Sequence, residues 1–169
     1  YIMVHSELGS YEKGINQILD VGGWSIDCVH TFGVTNQIWT SYEATISKLE
    51  FLKKAHIWGA SFTDAIQYLR EYQNAHVDVT EMTDTVIKIS LTDTLDDYMF
   101  NHALTVKVDI PDDWTNVTVT QNGVEIPLIM DIDEYYDDFA REACTIVDGF
   151  LYIDAVPDAG EIVVTVVAE

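Results

Sequence analysis

The sequence predicts an α/β portion over residues 1–75 followed by an all-β portion, an antiparallel β-sandwich, over residues 76–169. Three observations carry that division. The hydrophobic period drops near residue 76 from about 3.6, the repeat of a helix, to 2, the repeat of a half-buried strand. Two turn dipeptides, Asn122-Gly123 and Asp148-Gly149, each join alternating apolar runs. Charge also divides there: residues 1–75 carry 8 acids and 5 bases, whereas residues 76–169 carry 21 acids and 3 bases.

Within the first portion, Tyr1 to Val4 reads as a short strand, and a chain opening inside a strand suggests a part of a longer protein. Ser10 is placed to cap a first helix with Ile15, Ile18 and Leu19 on one face, and Gly22-Gly23 stops it. Trp24 to His30 reads as a strand. Thr40-Ser-Tyr-Glu43 has the form of a capping box, opening a helix that carries Tyr42, Ile46, Leu49 and Leu52 inward and Lys53-Lys54 in its last turn. After a short Ile57-Trp58 strand, Ser61-Phe-Thr-Asp64 opens another helix through Tyr72, with Phe62, Ile66 and Leu69 inward. Helix and strand alternate as in an α/β layer.

In the second portion, Ile87, Ile89 and Leu91 alternate with polar residues, as do Leu104, Val106, Val108 and Ile110. Val117 to Gln121 and Val124 to Ile126 flank Asn122-Gly123, which supplies the positive φ angles of a type I′ hairpin turn. Cys144 to Val147 and Phe150 to Ile153 flank Asp148-Gly149 in the same way, and Ile162 to Val167 closes the chain. Seven or eight short antiparallel strands predict a sandwich. The acidic Asp131 to Arg141 segment reads equally as a loop or a helical turn.

With 29 acids against 8 bases, the formal net charge is -21. Nucleic acids and anionic lipid surfaces, which are bound through clustered Lys and Arg, are disfavoured partners. No apolar run approaches the roughly 20 residues of a membrane span. Cys28 and Cys144 read as buried small hydrophobes rather than a disulfide framework.

Motifs that carry chemistry are sparse: no G-x-S-x-G elbow, phosphate-cradling glycine loop, HExxH helix or CxxC pair occurs. His30 stands at the C-terminal end of a strand before a loop with Gly33, and a histidine there suits proton transfer near neutral pH. Trp39 in the following loop offers a flat ring for a sugar face. Trp114 reads as a plug at the end of the sandwich core. The spacing of Asp131, Asp133, Glu134, Asp137 and Asp138 fails the EF-hand pattern and suits a solvated acidic segment. His5, His56, His76 and His102 have no ligand spacing.

The stretch Gly22-Gly-Trp-Ser-Ile-Asp-Cys-Val-His30-Thr-Phe-Gly33, with Ser41 to Leu52 and Ile57-Trp58 to Leu69, resembles the end of the NodB-homology polysaccharide deacetylase domain. The resemblance implies that residues 1–75 are the C-terminal portion of a distorted (β/α) barrel. It implies that His30 is the general acid in removing acetyl groups from a polysaccharide. Cys28 departs from the leucine usual two residues before that histidine. The family's metal ligands and catalytic base would precede Tyr1. The resemblance therefore implies no cofactor in this chain, a zinc-like divalent metal upstream, and the rest of the barrel as partner. A bacterial protein, secreted or periplasmic, with a carbohydrate substrate follows. The alternative is a non-catalytic carbohydrate-binding or structural sandwich module.

Overall fold

A computed structural model of the chain describes residues 8–26, 42–137 and 142–167. The chain forms two compact units, residues 1–59 and 60–169.

In the first unit, α1 (Leu8–Leu19) buries Tyr11, Ile15 and Ile18, whereas Leu19 is exposed. Ser10 lies within the helix rather than capping it. The diglycine does stop it: the Gly23 N–H donates to Ile18 O at 2.9 Å, and Gly22 takes φ 63°, a left-handed angle that glycine adopts without a Cβ clash. α2 (Tyr42–Lys54) packs on α1 through a face turned from the expected one. Thr45 and Lys48 are buried, Phe51 and Leu52 pack on Tyr11 and Ile15, and Leu49 is exposed. Lys48 is accommodated because its stem is apolar and its ammonium lies 5.0 Å from the centre of the Tyr11 ring.

The second unit begins with α3 (Phe62–Asn74), whose N-cap Ser61 accepts from the Asp64 N–H at 3.2 Å, as the sequence signals. Its inward face differs from the expected one: Phe62 and Ile66 are exposed, and Glu71 is fully buried. The strands follow: β1 (His76–Met82), β2 (Val86–Thr92), β3 (Leu104–Asp109), β4 (Val117–Gln121), β5 (Val124–Ile126), β6 (Cys144–Val147), β7 (Phe150–Ala155) and β8 (Ile162–Val166). Between β5 and β6 lies α4 (Ile132–Asp137), so the acidic segment holds a short helix. The Asp131 carboxylate starts it by accepting from the N–H groups of Asp133 and Glu134.

The strands form a five-stranded sheet in the order β1-β2-β8-β4-β5 and a three-stranded sheet in the order β3-β7-β6, antiparallel throughout. Ile87, Ile89, Leu91, Val106, Val108, Val119, Leu151, Ile153, Ile162 and Val164 point inward and form one core. Each contributes about 1.5–3 kcal/mol on burial, so the core outweighs any surface ion pair. Trp114 is buried in the same core, in agreement with its reading as a plug. Asn122 and Gly123 have φ of 50° and 77°, and Asp148 and Gly149 have 51° and 79°, as type I′ turns require.

The β-sandwich thus agrees with the alternating pattern, but the α/β barrel does not occur. Among the described residues both sheets are antiparallel, and Ile57-Trp58 is not a strand. Periodicity identifies helices, yet parallel pairing between strands is a long-range property that no local pattern encodes. The Tyr1 to Val4 strand, the Thr40 cap and most of the Trp24 to His30 strand lie outside the described residues.

Candidate functional site: the aromatic face of the smaller sheet

Along β7, Leu151, Ile153 and Ala155 enter the core, so Phe150, Tyr152 and Asp154 face outward. Register pairs them with Asp109, Lys107 and Thr105 of β3. On the outer face, the Lys107 Nζ lies 3.6 Å from the centre of the Phe150 ring and 5.6 Å from that of Tyr152. The rings hold this cation by its attraction to their negative faces, and it stands as a fixed donor beside flat apolar surface. Both rings are half-buried and Lys107 is exposed.

Helices flank the other end of this face. Asp154 accepts from the Thr105 hydroxyl at 2.6 Å and from the Tyr135 hydroxyl of α4. Burial holds the Asp154 carboxyl above the usual aspartate range, although both hydrogen bonds oppose that shift. Burial first, then the Asp154 charge, raises the Tyr135 hydroxyl far above its ordinary range. Tyr135 packs with Ile129 and Ala143. On α3, burial first, then Tyr72 and lastly the Asp154 charge raise the Tyr68 hydroxyl above its ordinary range, and its ring stacks on that of Tyr72 at 6.5 Å and 10°. Tyr72 is exposed.

The Tyr135 hydroxyl, raised in pKa, gives up its proton less readily than free tyrosine and keeps it, donating to Asp154. Cys144 is a free, buried thiol pushed up to about 12, chiefly by burial, so it is inert as a nucleophile at neutral pH. Half-buried ring surface beside a held cation offers a place for a ligand to pack.

His30 and Trp39, the residues singled out from sequence, lie outside the described residues, as does Cys28. His56 and His76 are exposed; His76 Nε2 lies 3.0 Å from an Asp78 carboxylate oxygen. Sequence reading missed Lys107, Phe150 and Tyr152. Their outward alternation is visible in each strand, but the pairing of β3 with β7, about 45 residues apart, is not. It also missed a group formed by Asp93, Asp97 and Asp158.

A gellan lyase from Bacillus sp. is 33% identical to the chain over 153 residues, which cover 83% of this chain and 6% of that protein. The chain therefore spans a small fraction of that relative's length. No family model matches the chain, and no solved structure matches it. The resemblance to polysaccharide deacetylases is accordingly overturned. The similarity runs to a lyase, no family model matches, and no barrel occurs among the described residues. The general-acid role of His30 rests on that resemblance, and His30 itself lies outside the described residues. Among the described residues, no helix is long and apolar enough to cross a membrane.

Proposed function

We propose that the chain is a non-catalytic accessory portion of a carbohydrate-active protein, and that its sandwich binds polysaccharide on the outer face of the smaller sheet. The carrying observation is the juxtaposition of Phe150, Tyr152 and the ring-held Lys107 on one open face. Ring faces pack against the apolar face of a sugar, and Lys107 donates to its hydroxyl or acidic oxygens. The likeness to a gellan lyase supports a polysaccharide as the ligand and an extracellular location. Residues 76–169 form the binding domain in this reading, and Trp39 is a separate candidate for contacting sugar.

Affinity electrophoresis of the whole chain in gels containing gellan tests the reading. Retardation is expected, and Phe150→Ala with Tyr152→Ala weakens binding by about tenfold or more, equivalent to about 1.4 kcal/mol. Melting temperature changes little, because both rings lie outside the core. Mobility unaltered by gellan, xylan and pectin alike would leave a purely structural module.

A further inference from the structure

Asn122 is the one asparagine of the chain that a glycine follows. The pair forms the β4–β5 turn, with both residues exposed and at positive φ. Its reacting atoms are free: among the described residues, neither the Asn122 carboxamide nor the Gly123 N–H takes a hydrogen bond, since the ladder pairs Gln121 with Val124 across the turn. Gly123 has no Cβ to crowd its nitrogen, and the position where one would stand is open space. β5 has three residues and lies at the edge of its sheet, with Val124 exposed, so the turn opens locally at small cost.

Other asparagines lack this freedom. Asn74 Nδ2 donates to Arg70 O at 2.8 Å, and the N–H of the following Ala75 is engaged by Glu71 O at 2.7 Å. Asn116 precedes Val117, whose branched side chain crowds the next nitrogen.

We propose that Asn122 is a site of spontaneous deamidation in the folded protein, and that its isoaspartate product loosens the β4–β5 turn. The Gly123 nitrogen attacks Asn122 Cγ, forming a cyclic imide, and the side-chain nitrogen departs as ammonia with the proton that the Gly123 amide gives up. Water then breaks a ring C–N bond. Cleavage at Cγ yields aspartate; cleavage at the Asn122 backbone carbonyl yields isoaspartate, in which the main chain runs through the side-chain carbon. The extra main-chain atom falls inside a turn whose φ angles are closely set. The β7–β8 loop rests on the same turn: the Asn122 N–H donates to Glu161 O at 3.0 Å, and a Cβ on Gly160 would lie 2.8 Å from the Asn122 Cβ. This chemistry is independent of the sugar-binding reading.

The whole chain, aged in mildly alkaline buffer with and without urea, is digested and read by peptide mass and by isoaspartyl methyltransferase labelling. Without urea, conversion is expected at Asn122 while Asn74 and Asn116 stay intact, and it speeds up as pH rises because the attacking amide must lose its proton. Asn122→Gln loses the conversion, since its longer side chain closes a less favourable ring. The isoaspartate fraction, separated by its added negative charge, is expected to melt below the parent. Asn122→Asp keeps the ordinary main chain and the turn, and melts near the parent. Asn122 intact in the native chain while it converts in urea, equal conversion at Asn74, or an isoaspartate fraction that melts with the parent overturns the proposal.

Discussion

Asp154 illustrates how one side chain can be structurally engaged and still cost stability. Thr105 and Tyr135 donate to it, yet burial raises its carboxyl above the usual range. A folded-state pKa above the unfolded value, about 3.9 for aspartate, means that the folded form holds the proton more tightly. Its contribution is therefore fully present below the unfolded value and is lost as pH rises through the folded one. The melting temperature of Asp154→Asn should accordingly gain on that of the parent as pH rises from below 4 toward neutrality. A series of melts across that range checks the sign, and a gap moving the other way contradicts the burial argument.

Between elements, the buried side chain of Gln121 fastens a loop to a strand. Its Nε2 donates to Val156 O at 2.6 Å, and its Oε1 accepts from the Val156 N–H at 3.2 Å, so the β7–β8 loop is held at the end of β4. The polar side chain is tolerated among apolar neighbours because both of its ends are paired. Gln121→Leu keeps comparable volume but leaves the Val156 N–H and carbonyl without these partners, which costs about 1–3 kcal/mol. Urea unfolding is expected to show a lower midpoint at an unchanged slope, since the surface exposed on unfolding hardly changes.

For the molecule as a whole, α3 is the test of where the sandwich domain begins. It belongs to the second compact unit and supplies the Glu71 acceptor for His102, while Ala75 packs on the sandwich core. We propose that residues 76–169 nevertheless fold alone, because the eight strands satisfy one another and enclose their own core. Thermal melts of residues 60–169 and 76–169 are expected to be cooperative for both, with the shorter chain less stable by about 1–3 kcal/mol for the acceptor it loses. A shorter chain without a cooperative transition moves the boundary to the helix.

The strands and hairpins were legible in the sequence because they depend on local physics. Alternation such as Leu104-Thr105-Val106-Lys107 sets which face is buried, and Asn122-Gly123 and Asp148-Gly149 can reach the positive φ angles their turns need. The stop of α1 and the cap of α3 were legible for the same reason. Tertiary structure decided what depends on distant pairing. It rotated the buried face of α2 to admit Lys48, and it turned α3 so that Glu71 rather than Phe62 is enclosed. It set the two-sheet order that excludes a parallel barrel, placed Lys107 over Phe150, and brought Asp158 to Asp93. Each of these contacts closes a long loop at an entropic cost that only the assembled core repays, so no short window of sequence contains the information that specifies it.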